Sequence, residues 1–312
     1  MSFSTEIKNE VCSLKLSRVE NISFLSGFVR NNKLDDINKI SLLTENPKIV
    51  RYLYNLFKEI YGVSPLIEKG KSNNFNKNIY YNLVINDNAN FILKDIMVID
   101  DNNKILKEPK SYIIDSEELL RAYLRGVFLA CGSINDPKKL GYHMEFFINN
   151  KSEAIFVSNI LNEFFINNKI LARDNNYMVY VKESEKIGDF LRLISSSVAL
   201  LYFEDIRIYR DHKNMTNRLN NCEQANVDKI VSSAQKQLND IKLLEDVIGF
   251  DLLDEKLQEV IIYRKKYPDV SLNDLSIIMT EETGKQITKS GLNHRFRKIQ
   301  EMAKKIDSKK TY

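Results

Sequence analysis

Two glycines set inside apolar helical segments constrain the fold of this chain more than any other feature. The segments are Leu25-Ser26-Gly27-Phe28-Val29 and Leu124-Arg125-Gly126-Val127-Phe128-Leu129-Ala130-Cys131-Gly132. Both read leucine, any residue, glycine, then two apolar residues. A glycine inside a helix costs about 1 kcal/mol against alanine, so two at equivalent places need a compensating role. Close approach of two helix backbones supplies one. With no side chain at Gly27 and Gly126, the two helices can pack across a pseudo-twofold axis, and the chain around them is expected to be two copies of one unit.

The first copy, about 20–105, opens with the helix ENISFLSGFVRNN and continues to an apolar strand near Lys39–Leu43. An amphipathic helix through Ile49, Leu53, Leu56 and Ile60 follows. An Asn-rich loop, Ser72–Asn78, leads to the alternating strand IYYNLVI and a closing helix that includes Phe91–Met97. The second copy, 115–205, runs through EELLRAYLRGVFLACGS, the strand HMEFFI, the helix SEAIFVSNILNEFF, the strand YMVYVKE and the helix IGDFLRLI. Asp115 and Glu118 are placed to form a capping box at its start. The order helix–strand–helix–strand–helix is the same in both. Any α+β protein alternates in this way, so the glycine pair decides in favour of a repeat. The first hairpin strands are not located by pattern.

Beyond residue 205 the composition changes. The stretch 206–226 is polar with few apolar anchors and reads as a connector, while Val227, Ile230, Ala234, Leu238 and Ile241 recur at helical spacing. Leu257–Tyr267 reads as a helix closed by Pro268. Ser271 is an expected N-cap for LNDLSIIM, TEETGKQ turns the chain, and Thr288 caps a last helix, KSGLNHRFRKIQEMAKKI. On that helix Leu292, Phe296, Ile299, Ala303 and Ile306 form one apolar face, and Ser290, Asn293, His294 and Arg297 point away from it.

Charge is concentrated at the same end. Nine basic residues and two acids lie between Lys285 and Lys310, a net +7 against +4 for the chain, which leaves −3 for the rest. Arg pairs bidentately with guanine, Asn with adenine, and Lys or Ser hold phosphates. The expected duplex-contacting residues are therefore Ser271, Thr288, Lys289, Ser290, Asn293, His294, Arg295, Arg297 and Lys298, on a helix-turn-helix at about 270–303. The competing reading is the solvated basic face of an ordinary core helix.

Other classes are disfavoured. At 312 residues with 43% hydrophobic and 28% charged residues, the chain can fill two cores. It has no apolar run of membrane-spanning length, and MSFSTEIKNEVCSL lacks the layout of a signal peptide, so a cytoplasmic location is expected. Cys12, Cys131 and Cys222 are scattered, as are His143, His212 and His294. No zinc framework follows from their spacing, and neither metal nor cofactor is expected.

The segment around Gly126 resembles the motif of LAGLIDADG homing endonucleases, where two such helices join α/β halves. In that family the acid before the final glycine binds the catalytic divalent metal. The matching positions here are Cys131 and, in the first copy, Asn32, with Lys33 in place of the glycine; Asp136 lies too far on to substitute. A hard cation needs carboxylate oxygens, so the resemblance implies a scaffold kept and cleavage lost.

The strings NRLNNCEQAN and TKSGLNHRFRKI, with that segment, resemble the WhiA family of bacterial regulators over nearly the whole chain. The resemblance implies an α+β chain. A pseudo-twofold LAGLIDADG homing-endonuclease-like domain at 1–205 would precede an all-α DNA-binding domain at 227–312. It implies a non-enzymatic, nucleoid-associated transcription regulator of double-stranded DNA, acting in cell division and chromosome segregation, or in sporulation among actinomycetes. The Asn, Lys and Ile content points to an AT-rich genome and favours division. A second transcription or cell-division protein is a further partner to consider. A monomer is expected, because the internal pseudo-twofold satisfies the surface a dimer would use. An active homing endonuclease and a protein-docking adaptor are the rival readings.

Overall fold

The computed structural model describes residues 2–32, 34, 36–71, 79–139, 141–173 and 176–310. Lys33 and the Asn-rich loop Ser72–Asn78 lie outside the described residues. The chain divides into two compact units, Met1–Arg210 and Asp211–Tyr312.

The first unit begins with α1 (Phe3–Val11) and α2 (Arg18–Arg30), followed by β1 (Ile40–Thr44), α3 (Pro47–Tyr61), β2 (Leu66–Lys71), β3 (Ile79–Ile85) and α4 (Ala89–Asp95). Its second half comprises α5 (Glu117–Cys131), β4 (Gly132–Ile134), β5 (Met144–Ile148), α6 (Lys151–Glu163), β6 (Lys169–Arg173), β7 (Asn176–Val181) and α7 (Ser184–Leu193). The strands form an antiparallel sheet of order β1-β3-β2 and another of order β4-β5-β7-β6. The repeated element order is thus present, with β2, β4 and β6 added to it. β6 escapes pattern reading because all five of its residues are exposed on a sheet edge, which leaves no alternation to detect.

Gly27 and Gly126 do what their positions required. A methyl built on Gly27 would lie 2.3 Å from the backbone oxygen of Tyr123, and one on Gly126 would lie 2.0 Å from that of Phe24. These are one contact with the partners exchanged, as a pseudo-twofold axis between α2 and α5 demands. Phe24, Leu25, Phe28, Tyr123, Leu124, Val127 and Phe128 are buried around the crossing, and the Ser23 hydroxyl donates to the Leu119 carbonyl at 2.7 Å.

A charged network lies beside this crossing. Arg30, at the end of α2, places Nε 2.9 Å from Glu153 Oε2, with both side chains almost fully buried. Its other nitrogens donate to the carbonyls of Met97, Leu106 and Lys107. The Tyr123 hydroxyl donates to the other oxygen of Glu153. Burial, and then the adjacent carboxylate, hold that phenol well above its usual range. Every charge in the network has a partner, which is the condition for tolerating it in a core.

One local expectation needs correction, and one segment gains a conformation. The start of α5 is capped by Ser116, whose hydroxyl accepts from Leu119 N at 3.3 Å, so Asp115 and Glu118 do not form the box. A complete capping box does exist at α2, between Ser17 and Glu20. The segment 206–226, read as a connector without an assigned conformation, is helical: it lies inside α8 (Ser197–Val247), a helix of 51 residues. Its polarity removes a buried face, but a helix satisfies its backbone internally, and no glycine or proline interrupts this stretch. The helix starts where the Glu10 carboxylate of α1 accepts from Val198 N at 2.8 Å and Ala199 N at 3.1 Å.

Gly126→Ala is expected to destabilise the first unit by about 1–3 kcal/mol through overpacking against backbone. Gly291→Ala, whose methyl would meet Thr288 Oγ1 at an ordinary 3.4 Å, should be neutral or stabilising by about 0.5–1 kcal/mol. Urea unfolding followed by circular dichroism compares them, and equal effects would deny the glycine pair its packing role.

Candidate nucleic-acid interface

The second unit closes on its own core. After α8 come α9 (Glu255–Lys266), α10 (Leu272–Thr283) and α11 (Lys289–Lys310). Ile241 and Leu244 of α8 pack with Leu257, Val260 and Ile261 of α9, Leu275 and Met279 of α10, and Leu292, Phe296 and Ile299 of α11. Ala303 is buried and Ile306 packs against the same cluster. The apolar face read from spacing is therefore the inward face of α11.

The turn between α10 and α11 is built from hydroxyls. Gly284 takes a left-handed conformation, φ 68°, as the C-cap of α10, a conformation glycine adopts without steric cost. The Thr280 hydroxyl accepts from Ile287 N at 3.1 Å and donates to the Ser276 carbonyl at 2.7 Å, tying the far side of the turn to the middle of α10. Thr283 Oγ1 donates to the Met279 carbonyl at 2.6 Å. Thr288 Oγ1 then accepts from Gly291 N at 3.1 Å, the cap expected for α11.

With the apolar side of α11 buried, Lys289, Ser290, Asn293, His294, Arg297 and Lys298 are all exposed. At 100° per residue, Ser290, Asn293, His294 and Arg297 share one ridge. The structure thus brings together six of the nine residues named from sequence. The other three are committed elsewhere. Ser271 caps α10, accepting from Asp274 N at 3.1 Å and donating to Asp274 Oδ2 at 2.7 Å, so its hydroxyl is taken and a carboxylate stands beside it. Thr288 is exposed, but its hydroxyl oxygen is spent on the cap. Arg295 turns inward, with Nη1 2.9 Å from Glu259 Oε2; three residues from Leu292 and one from Phe296, it sits at the border of the buried face.

Sequence reading missed Arg264, which supports the ridge from behind. Its side chain is almost fully buried, and no carboxylate pairs with it among the described residues. Nη1 donates to the carbonyls of Tyr267 and Val270 at 3.2 and 2.8 Å, and its guanidinium lies 5.4 Å from the ring centre of Phe296. Desolvation lowers its pKa from the usual arginine value. One side chain therefore fixes both the turn that leads into α10 and a core residue of α11. The only sequence signal is its inward phase on α9, beside Val260 and Ile261.

The ends of the glycine-bearing helices show what became of the other candidate site. Cys131, the last residue of α5, has its thiol pushed up to about 12, by burial above all. The side chain it faces is that of Asn31, with Oδ1 3.8 Å from its sulfur. Asn32, the position matched by sequence, instead closes α2: its Nδ2 donates to the Phe28 carbonyl at 3.0 Å and its Oδ1 accepts from Leu43 N at 3.2 Å. α2 ends at Arg30, short of the register that Cys131 keeps on α5. A protonated thiol and an amide do not fit a divalent cation, and Glu153 nearby is taken by Arg30 and Tyr123. Among the described residues no cluster of three His, Cys, Asp or Glu could hold a metal.

Comparison with known proteins agrees with this division. Family models match residues 21–99 as the WhiA N-terminal LAGLIDADG-like domain, 120–213 as the WhiA LAGLIDADG-like domain and 216–303 as the WhiA C-terminal HTH domain. A Bacillus cereus protein named "Probable cell division protein WhiA" is 38% identical over 315 residues, covering 100% of this chain and 99% of its own. The chain belongs to the WhiA family. A WhiA of the same name from Lactobacillus gasseri is 36% identical over 311 residues, 98% of each chain. The crystal structure of full-length DUF199/WhiA from Thermatoga maritima is 25% identical, with a TM-score of 0.59 over 98% of this chain and 99% of that one. The WhiA architecture, LAGLIDADG-like halves followed by a helix-turn-helix, is the α+β arrangement described above. Among the described residues no helix is long and apolar enough to cross a membrane.

Replacing Arg264 by Lys keeps a charge but loses the fork. It is expected to cost the second unit about 1.5–3 kcal/mol, whereas Arg295→Gln, which breaks a partly exposed pair, should cost about 0–1 kcal/mol. Thermal unfolding of the two variants checks the order, and a neutral Arg264→Lys would remove its supporting role.

Proposed function

We propose that this WhiA-family chain is a sequence-specific DNA-binding regulator of cell division, that it reads duplex DNA through the exposed ridge of α11, and that it does not cut DNA. The carrying observation is the ridge itself: Ser290, Asn293, His294 and Arg297 face solvent on a helix whose opposite side is buried. Such a helix offers its early turns to the major groove. Lys289 and Lys298 flank the ridge and suit phosphates. The names of the curated relatives supply the cell-division context. Control of transcription and a link to chromosome segregation follow as the roles a base-reading protein would take in that process.

Arg297→Ala should cost about 1–3 kcal/mol of binding, concentrated at one base position, while Lys298→Ala should weaken all sequences alike. Binding to a library of duplexes, titrated at several salt concentrations, separates the two. Sequence-blind losses from both would count against base reading.

A second expectation concerns the first unit. Purified protein with Mg²⁺ or Mn²⁺ should leave supercoiled plasmid intact, because Cys131 and Asn31 supply no carboxylate where the helices end. Metal-dependent nicking that survives further purification would restore the nuclease reading.

One observation favours the adaptor reading as a second role. On the four-stranded sheet, Phe147, Met178 and Leu171 stand in one cross-strand row, and Phe147 and Leu171 are exposed. The row itself is apolar and suits a protein contact, and Lys169 and Arg173 flank it on the same exposed face of β6. If a variant with Asn293, Arg297 and Lys298 all replaced by Ala kept full regulatory activity in cells, docking would be the principal function.

A further inference from the structure

A wide groove lies within the first unit, lined by residues of that unit alone. It has a volume of about 1510 Å³ and runs between α1, the outward face of the three-stranded sheet and the junction of α5 with β4. Pockets for small ligands occupy roughly 300–1,000 Å³, so the space is ample for one. Its lining is not neutral. The cations Lys8, Lys48, Arg51 and Lys69 outnumber the acids Glu45 and Glu68.

Lys8 is the informative residue. It projects from α1 to the end of α5, where Nζ donates to the Leu129 carbonyl at 3.2 Å and lies 5.6 Å from the ring centre of Phe128. No carboxylate pairs with it among the described residues. Burial holds its ammonium below the usual lysine range, an effect that the nearby Cys131 and Cys12 thiols partly oppose. An ammonium has three donors, and among the described residues one acceptor, the Leu129 carbonyl, meets it. A half-buried cation bordering a groove, with donor capacity left over, is stabilised by an anion that enters the groove.

The opposite wall has different chemistry. Tyr80 and Asn82 of β3 line it beside Glu68 of β2. Ser41 Oγ donates to Asn82 Oδ1 at 2.7 Å, and Asn82 Nδ2 donates to Glu68 Oε2 at 3.0 Å. This orients an amide and leaves a carboxylate able to accept from an amine. The Tyr80 ring lies against Gly70, where a methyl would meet its Cζ at 2.2 Å, so the ring keeps its place only because that residue is glycine.

We propose that this groove binds a nucleoside polyphosphate, with its phosphates toward Lys8, Lys48 and Arg51 and its base against Tyr80 and the Glu68–Asn82 pair. The cationic end suits phosphoryl oxygens. At the other end an aromatic face suits a base, and an amide beside a carboxylate suits its polar edge.

The test uses the full chain and three probes, ATP, GTP and inorganic pyrophosphate, by isothermal titration calorimetry. ATP or GTP should bind with a saturable isotherm, and pyrophosphate more weakly. Lys8→Met, which keeps the stem and removes the charge, should weaken nucleotide and pyrophosphate alike by about tenfold or more, the effect of losing a charged hydrogen bond. Tyr80→Ala should weaken the nucleotides and leave pyrophosphate unchanged. Should Lys8→Met disturb folding, the exposed pair Lys48→Ala with Arg51→Ala provides the same readout. No binding of any probe, or binding indifferent to all of these changes, would overturn the proposal. So would the finding that the Lys48 and Arg51 changes lower affinity for duplex DNA while the protein ignores nucleotides, because the groove would then serve DNA.

Discussion

The first unit depends on two backbones touching. At the α2–α5 crossing the hydrogens of Gly27 and Gly126 face the carbonyl oxygens of Tyr123 and Phe24, with no room for a methyl in either place. That distance sets how far apart the two halves stand and which aromatic side chains fill the space around the crossing. It also determines what the helix ends can do. α5 continues to Cys131, while α2 stops at Arg30 and folds the amides of Asn31 and Asn32 back onto its last turn. A pair of helices that elsewhere could present two carboxylates side by side here presents a half-buried thiol and an amide.

The second unit separates support from display. Residues that hold α11 are apolar or turn polar atoms to partners inside the unit: Arg264 Nη1 to two carbonyls, Arg295 to Glu259, and the hydroxyls of Thr280 and Thr283 to the turn. Residues left over face outward with their donors unspent. The same residue types occur on both sides of this division, and position on the helix alone assigns the roles. Arg295 and Arg297 are two residues apart and point to opposite fates.

What the sequence revealed follows from this. Patterns with short physical range were readable: the glycine pair, the caps at Ser271 and Thr288, and the apolar face from Leu292 to Ile306. Features that depend on distant partners were not. Whether Arg295 is free depends on Glu259, which lies 36 residues away. The start of α8 depends on Glu10, and the pairing of Cys131 with Asn31 rather than Asn32 depends on where α2 stops. β4 and β6 are short or wholly exposed edge strands without an alternating signal. The continuity of α8 through 206–226 is not legible for the opposite reason: without a buried face the segment carries no apolar periodicity that would mark it as helical.

The network beside the glycine crossing bears on a question that near-symmetry raises. Two similar halves joined by a quasi-isologous seam could each pair with a copy of themselves, since the helix contact is the same from either side. The charges are not. By the register of the two glycines, Arg30 corresponds to buried Leu129; by the Asn46 and Asn150 caps, Glu153 corresponds to buried Ile49. A pairing of like with like would strand Arg30 against a hydrocarbon in one assembly and Glu153 in the other, and breaking a buried ion pair in this way costs about 3–5 kcal/mol. The salt bridge therefore serves as a key that fits only the unlike half, keeping the seam intramolecular in a chain whose geometry alone would permit exchange.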